Sequence, residues 1–369
     1  MFLLTLIIFI FLIILIYFYY LNKSYHSMSL KIFFMKIFKK IFKIFFKKDL
    51  FRIPIGEKSV FYLNKKKENI KLADTILLNI PTSDNFRQAV HPDVIYIKEG
   101  FGKNKHKFWM TCTPYPNQDD RYENPEVFSS EDGLSWVSPK ENMNPIFKNP
   151  KDFSSHNSDT AIIYDNKKLI VFFRSSFYKN GKFKNLLQSI ESEDGEDWKN
   201  LKVLMQSDKN HFLSPSIKKI KNEWIMWTVD CEGRDENTLS VYRRASNDLI
   251  KWTKNTKVQC INLPKMIFPW HLGLEIIDNK IVCIITSCEK FGGKKSSNWI
   301  AVSDDLGFSF NIIKPFEKKY DFENWFQYRA SIVNTFDKKK IEVYYTAVDK
   351  KNICYIAKKE LKLTDFNIL

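Results

Sequence analysis

The sequence has little cysteine and no Cys-x-x-Cys pair, since its six cysteines are scattered along 369 residues. This pattern excludes a zinc ribbon and a small disulfide scaffold, and it indicates reduced thiols that are mostly buried. Aromatic residues are plentiful: 32 Phe, 16 Tyr and 9 Trp are enough for a large core and exclude global disorder. The length exceeds that of one ordinary domain, although propellers and barrels of this size are often single units.

Charge is absent from residues 1–21, which consist almost entirely of Leu, Ile and Phe and end in a cluster of aromatic residues. A helix of about 20 apolar residues is long enough to cross the ~30 Å hydrocarbon core of a bilayer. No Lys or Arg precedes this run and no small-x-small cleavage site follows it. A retained transmembrane anchor is therefore favoured over a secretory signal peptide.

Acidic residues are absent from the next segment, 22–48, which carries eight Lys. Positive charge directly behind the span predicts that the C-terminal side is cytoplasmic. Phe, Ile and Lys recur here at helical spacing, so residues 22–50 are expected to form a basic amphipathic helix on anionic lipid; a solvated linker is the alternative. Residues 22–52 account for +8 of the net charge of +16, and without a basic stripe elsewhere a nucleic-acid partner is not expected.

Residues 51–369 contain a repeat with a period near sixty residues. A Ser-x-Asp phrase that precedes an aromatic residue begins at Ser130, Ser192, Ser246 and Ser303. An apolar run with a polar last residue occurs five times, ending at Thr113, Arg174, Thr228, Thr286 and Thr346. Such a period is typical of an array of similar units, and short β-branched and aromatic runs favour strands over helices. The chain is therefore predicted to be an all-β, five-bladed β-propeller, with early strands in residues 60–80 closing the ring against the last blade.

A polar phrase opens each unit: His91-Pro92-Asp93, Asn157-Ser158-Asp159, Ser214-Pro215-Ser216, Trp270-His271-Leu272 and Tyr328-Arg329-Ala330-Ser331. The first strand of each blade lines the axis of a propeller, so these five phrases are expected to converge on one central pocket. Their side chains are accordingly the leading candidates for a functional site.

The phrases HPDVIY, WMTCTPYP, RYENPEV, SEDGLSW, NSDTAIIY, PWHL and YRAS follow in this order. Together they resemble the five-bladed β-propeller superfamily of glycoside hydrolases, family 43 and its relatives, and in particular uncharacterised propeller proteins found near bacterial surface-polysaccharide genes. Seven short phrases in one order are more specific than a single motif. The resemblance covers residues 90–346 and implies the propeller fold; it implies glycan chemistry less directly, because one fold hosts many functions.

The family 43 pattern implies a base Asp in the first blade, a second Asp at the start of the second blade, and an acid Glu before a Pro in the third. These positions hold His91, Asp159 and Leu213 here, so only Asp159 matches. An inverting glycosidase needs two carboxyl groups, one protonated and one ionised. The possible substitutes in this sequence are Asp93, Glu123 and Glu232. Asp93 would point the same way as His91 if that stretch is extended, whereas a solvated loop is the alternative for the two glutamates.

Two histidines, His91 and His271, are further candidates, because imidazole titrates near neutral pH and can act as acid or base. The alternative is that each hydrogen-bonds a sugar hydroxyl or a neighbouring blade. With Asp159 they could also hold a metal, since nitrogen and oxygen ligands suit zinc or manganese. The absence of a compact ligand spacing argues against this, so neither a metal site nor a cofactor is predicted.

Two arginines, Arg174 and Arg329, lie on predicted strands near the expected pocket, where an isolated guanidinium needs an anionic partner. That partner is either a buried acid such as Asp159 or a carboxylate or phosphate of the ligand. Aromatic rings beside them would offer faces for sugar rings. The predicted substrate-binding residues are Arg174, Ser214, Trp270, His271, Tyr328 and Arg329.

The sequence thus predicts three segments: an anchor (1–21), a basic membrane-surface segment (22–50) and a glycosidase-like propeller (51–369). We expect a membrane-anchored carbohydrate-active enzyme, a glycosidase-like hydrolase or a glycosyl-transferring enzyme such as a phosphorylase, acting on a surface or lipid-linked glycan. Asp159 is the expected essential carboxylate, with His91 and Glu123 as acid–base candidates. A non-catalytic glycan-binding propeller is the main alternative, and a membrane scaffold for protein partners is a third.

Overall fold

The computed structural model describes residues 68–148, 155–179, 182–232, 238–289, 296–335 and 340–368. The predicted anchor (1–21), the predicted basic helix (22–50) and the first residues of the predicted propeller domain lie outside these ranges. Among the helices that the model describes, none has the length and apolar character needed to span a bilayer.

Short strands dominate the described ranges because β-branched and aromatic residues alternate with polar ones along the repeated runs. In chain order the strands are β1 (Ile70–Lys71), β2 (Thr75–Leu78), β3 (Ala89–Phe101), β4 (His106–Pro114), β5 (Glu126–Ser130), β6 (Ser155–Asp165), β7 (Lys168–Lys179), β8 (Lys182–Ser192), β9 (Lys199–Ser207), β10 (Leu213–Ile220), β11 (Glu223–Glu232), β12 (Thr238–Ser246), β13 (Thr256–Lys257), β14 (Gln259–Ile261), β15 (Phe268–Ile277), β16 (Lys280–Cys288), β17 (Ser297–Ser303), β18 (Ser309–Pro315), β19 (Phe326–Val333), β20 (Lys340–Val348) and β21 (Cys354–Lys362).

These strands form five sheets, each of which is one blade. Blade 1 is β3-β4-β5, blade 2 is β6-β7-β8-β9, blade 3 is β10-β11-β12-β13, blade 4 is β15-β16-β17-β18 with β14 at its outer edge, and blade 5 is β19-β20-β21 with β2 and β1 outside. Strand β2 pairs antiparallel with β21, from Thr75 opposite Lys359 to Leu78 opposite Ile356. The N-terminal strands therefore close the ring, and the predicted all-β, five-bladed propeller is confirmed.

Apolar side chains fill the spaces between neighbouring blades. Trp109 of blade 1 packs with Val171 and Phe173 of blade 2. The Ser-x-Asp turn that follows a third strand packs against the neighbouring blade. In the turn of blade 2, Gly195 has φ +81°, and a Cβ at that position would lie 2.2 Å from the Trp109 ring. Only glycine permits both the left-handed backbone and the close approach. The repeated turns predicted from the sequence therefore hold adjacent blades together.

A β-bulge interrupts the opening strand of every blade, where its register against the second strand shifts. In the first three blades a non-glycine residue at or beside the bulge has positive φ: His91 (57°), Asp159 (55°) and Ser214 (49°). Bulges re-aim side chains, and such strained backbone conformations concentrate at functional sites. The bulges lie within the polar phrases that open the blades, so they determine what faces the axis.

Candidate active site

The opening strands of different blades lie side by side around the axis. Ser214 Oγ donates to the carbonyl oxygen of Leu272 at 3.1 Å, which joins blade 3 to blade 4. The backbone N–H of Val94 donates to Ser331 Oγ at 2.9 Å, which joins blade 1 to blade 5. The backbone N–H of Ser214 donates to Asp159 Oδ1 at 3.0 Å, which joins blade 3 to blade 2. The expected convergence of the polar phrases on one axis is thereby confirmed.

Three of the predicted residues meet at this axis: His91 of blade 1, Asp159 of blade 2 and His271 of blade 4. One possible metal-ligand atom of each lies within 4.8 Å of the others. Asp159 Oδ1 is 3.3 Å from Nδ1 of His271 and 3.8 Å from Nε2 of His91. All three side chains are buried. We call these three residues the axial cluster.

Asp159 is fixed in place by donors on both carboxylate oxygens. Arg174 Nε donates to Oδ2 at 2.8 Å, while its other two nitrogens donate to the hydroxyls of Ser158 and Ser176 at 3.0 Å each. Burial, the largest influence, opposes ionisation, but the charge of Arg174 together with the contacts to His91 and His271 outweighs it and holds the pKa of Asp159 well below its ordinary value. The partner of Arg174 is therefore the buried acid Asp159 and not a group of the ligand. Asp159 in turn presents a fixed negative charge to the two histidines.

The two imidazoles are suited to ligate a cation. Burial lowers the pKa of His271 to about 4, and burial also holds the pKa of His91 well below its ordinary value. Both rings are therefore neutral at neutral pH, the form that binds metals. Nε2 of His271 and Nε2 of His91 make no hydrogen bond within the described part of the chain. Buried polar atoms need a partner, and two neutral nitrogens beside one carboxylate suit a divalent transition metal.

Glu123 lies next to the axial cluster, where it follows the short 3-10 helix Asp120–Tyr122. Its carbonyl oxygen accepts a hydrogen bond from the backbone N–H of Asn157 at 3.0 Å, so this loop is tied to the opening strand of blade 2. Glu123 Oε1 is 3.5 Å from His91 Nδ1, and the residue is only 5% exposed. Burial and then the charge of Asp159 raise the pKa of Glu123 well above its ordinary value. The solvated-loop alternative for Glu123 is thus wrong, and its carboxyl group has the environment of a proton donor and acceptor.

Aromatic residues form one wall beside the axial cluster. The ring of Tyr328 lies 4.2 Å from that of His271 and 5.2 Å from that of His91, between centroids. Trp270 Nε1 donates to the Tyr328 hydroxyl at 2.9 Å. The two aromatic residues predicted to face a sugar are therefore adjacent to the cluster, and Tyr328 keeps part of its surface exposed.

Two predicted catalytic acids lie elsewhere. The bulge at His91 removes the extended geometry on which the placement of Asp93 depended, and Asp93 instead bridges blades 1, 2 and 5 by accepting from Ile162 N (2.8 Å) and Ser331 Oγ (3.2 Å). Glu232 accepts from Tyr242 at 2.8 Å and pairs with Lys257 at 2.6 Å, towards the outer strands of blade 3. The structure therefore brings neither Asp93 nor Glu232 into the axial cluster.

Two further predicted substrate-binding residues, Ser214 and Arg329, are fully buried. The backbone N–H of Ser214 donates to Asp159 and its hydroxyl donates to the carbonyl oxygen of Leu272. Ser214 therefore positions the cluster rather than a ligand. Arg329 reaches from blade 5 to blade 3, where Nη2 donates to the carbonyl oxygen of Pro215 at 2.8 Å. No ion pair within 4.0 Å is found for Arg329 among the described residues. Burial lowers the pKa of Arg329, and the nearby acids Asp93 and Asp159 offset only part of this effect.

Several hydroxyl groups that orient the cluster were not singled out from the sequence. Thr113 Oγ1 lies 3.2 Å from His91 Nδ1, and Ser158 contacts both Asp159 and Arg174. The signal for Thr113 was present, because it is the polar last residue of the first repeated run, equivalent to Arg174 of the second. No sequence feature distinguishes Ser158 from other serines.

No protein-family model matches the chain. A curated relative, the A type blood N-acetyl-alpha-D-galactosamine deacetylase of Flavonifractor plautii, is 23% identical over 239 residues. The matched region is 53% of this chain but only 31% of that protein. The chain thus spans about a third of the length of this relative.

The solved structures confirm the resemblance at the level of the fold. An N-acetylgalactosamine deacetylase from F. plautii, solved with blood group B trisaccharide, has a TM-score of 0.66 at 19% identity and covers 75% of this chain and 90% of its own. A thermostable family-43 glycoside hydrolase has a TM-score of 0.55 at 14% identity, covering 74% and 89%. An endo-arabinase from Bacteroides thetaiotaomicron has a TM-score of 0.53 at 13% identity, covering 74% and 94%. The chain therefore shares the propeller fold of these solved structures.

Proposed function

We propose that this protein is a metal-dependent carbohydrate hydrolase that removes the acetyl group from an N-acetylated sugar. The observation that carries the proposal is the axial cluster, in which His91, Asp159 and His271 offer ligand atoms within 4.8 Å of one another. The similarity to a deacetylase supports the same reaction class, although the relative is distant. The glycosidase alternative has less support, because two of its three candidate substitute acids lie elsewhere: Asp93 bridges blades and Glu232 pairs with Lys257.

The axial cluster is the site where a divalent cation would be held. A cation bound there would polarise the carbonyl group of the acetamide and lower the pKa of water. Three protein ligands are typical of catalytic rather than closed structural sites. Arg174 keeps Asp159 ionised and oriented, which is the role of a partner outside the ligand set.

The reaction joins one water molecule to the acetamide: the oxygen of water bonds to the carbonyl carbon, the C–N bond breaks, and acetate and an amino sugar result. Two protons must move, one away from the water and one onto the leaving nitrogen. Glu123 is the group placed to carry them, because its carboxyl group is buried beside His91 and has a raised pKa. A buried carboxyl group with a raised pKa can alternate between base and acid near neutral pH.

The proposal predicts acetate release that depends on a metal. Full-length protein in detergent, incubated with oligosaccharides that end in N-acetylgalactosamine or N-acetylglucosamine, should release acetate and expose a primary amine. A chelator should abolish this release, and added manganese or zinc should restore it, because the axial cluster is the one group of three or more possible metal ligands in the described ranges. Enzymatic acetate assay and mass spectrometry of the sugar are the measurements.

The same reactions separate the alternative functions. A glycosidase or phosphorylase would release a free sugar or a sugar phosphate and leave the acetyl group in place. A non-catalytic binding propeller would retain the oligosaccharide without releasing either product. Release of sugar without acetate would contradict the deacetylase proposal and favour the glycosidase-like enzyme expected from the sequence.

We further propose that the substrate is part of a surface or lipid-linked glycan and that the propeller is held at the cytoplasmic face of the membrane. The support is the apolar run of residues 1–21 followed by eight Lys and no acid in residues 22–48. A phosphatase reporter fused after Leu369 should be inactive and a β-galactosidase reporter active. This follows because the Lys-rich segment behind the apolar run should stay on the cytoplasmic side of the membrane. An active phosphatase fusion would place the propeller outside the cytoplasm.

A further inference from the structure

Tyr328 carries a hydroxyl group, and its ring lies where the aromatic wall meets the axial cluster. The Tyr328 ring contacts both cluster histidines, at centroid distances of 4.2 Å to His271 and 5.2 Å to His91. Tyr328 is partly exposed, whereas the two histidines are at most 3% exposed. A molecule that enters the site can therefore touch Tyr328 while it approaches the cluster.

One hydrogen bond fixes the orientation of this hydroxyl group. An indole N–H can only donate, so the bond from Trp270 Nε1 to the Tyr328 oxygen, 2.9 Å long, uses an acceptor position of the phenol. The phenolic proton is directed away from Trp270 as a result. Within the described ranges no other group is bonded to the Tyr328 hydroxyl, so its proton remains available to a ligand.

The indole group that orients this hydroxyl is itself held in place. Trp270 is 8% exposed and its ring packs edge-on against His271 at 5.7 Å, so the donor that orients Tyr328 is itself held against a cluster residue. A neutral donor that is fixed in position can stabilise an oxygen that becomes negative without adding a mobile charge of its own.

We propose that Tyr328 is a catalytic residue that donates its phenolic hydrogen bond to the carbonyl oxygen of the substrate acetamide as negative charge develops there. Trp270 is the positioning residue that aims this donor. The inference rests on the proposed deacetylase function and adds a residue to it. A fixed donor at a developing oxyanion contributes about 10²- to 10³-fold to turnover.

The test compares Tyr328→Phe with the wild-type protein. The variant should retain the ring contacts to the histidines and the same bound manganese per protein, while kcat falls by about 10²- to 10³-fold and KM changes little. Its affinity for a tetrahedral phosphonamidate analogue of the acetamide should fall by a similar factor, because the analogue carries the oxyanion. Trp270→Phe, which removes the indole N–H together with part of the packed ring, should show a smaller loss of the same kind.

A matched control is Tyr242→Phe, which removes a hydroxyl bonded to Glu232, away from the cluster, and should leave kcat unchanged. Unchanged kcat and analogue affinity in Tyr328→Phe would overturn the role of Tyr328, while acetate release by the wild type would leave the deacetylase function standing. A loss of bound manganese in Tyr328→Phe would also overturn it, since the residue would then be structural. Absence of acetate release from the manganese-loaded wild type would overturn both proposals.

Discussion

Replacing Asp159 with asparagine should abolish metal binding and reduce acetate release by at least about 10²-fold. Asp159 is the one anionic member of the axial cluster, and its ionisation is maintained by the 2.8 Å contact with Arg174. The substitution also leaves a buried guanidinium without its counter-charge, which costs about 3 to 5 kcal/mol of stability. The measurements are metal content by mass spectrometry, acetate release and the thermal unfolding midpoint.

Because Asp159→Asn weakens both the fold and the site, a second variant separates the two effects. His271→Ala removes a ligand and leaves the Asp159–Arg174 pair intact, so it should lose metal and turnover with a smaller change in stability. His106→Ala is the matched control, since His106 bonds to Ser129 in blade 1 and lies apart from the cluster. Full metal content and activity in folded Asp159→Asn protein would show that the axial cluster is not the catalytic centre.

Replacing Glu123 with glutamine should lower kcat by about 10²- to 10⁴-fold, the usual effect of removing acid–base help. Glutamine has nearly the same shape but cannot carry a proton between water and the leaving nitrogen. Metal content should remain close to that of the wild type, because Glu123 approaches Nδ1 of His91 (3.5 Å) rather than Nε2 and is not itself a member of the cluster. Steady-state acetate release and metal analysis of the same sample are the measurements.

Glu232→Gln provides the comparison for Glu123→Gln. Both glutamates were acid–base candidates from the sequence, yet the structure places Glu232 with Lys257 and Tyr242. Unchanged turnover in Glu232→Gln is expected. If instead Glu232→Gln were inactive and Glu123→Gln active, the assignment of the proton carrier would be reversed.

The propeller and its axis could be predicted from the sequence because each repeat has the same pattern of apolar and polar residues and therefore the same structural requirements. Each apolar run that ends in a polar residue, such as that ending at Thr113 or Arg174, needs the same strand and the same burial between two sheets. Residues at equivalent positions of successive units therefore take equivalent places around the ring. The closure of the ring by β2 and β21 could be predicted in the same way. No further repeat follows the last blade, so the early strands were expected to pair with it.

The composition of the axial cluster was harder to predict, because its members are 68 and 112 positions apart and the ligand spacing familiar from local motifs is absent. Their meeting depends on blades 1, 2 and 4 surrounding one axis. The failure with Asp93 has a local cause: the bulge at His91, with φ 57°, breaks the alternation of side chains on which the expectation relied. The placement of Glu123 depends on a loop contact with Asn157, which strand periodicity does not encode.

The most direct measurement of the central claim is anomalous X-ray diffraction from crystals of the full-length protein grown with manganese. We predict one strong anomalous peak between His91, Asp159 and His271, with density close to both imidazoles and to Oδ1 of Asp159. Two results together would contradict the account: crystals that show no anomalous peak at these three residues, and protein that still releases acetate in the presence of a chelator.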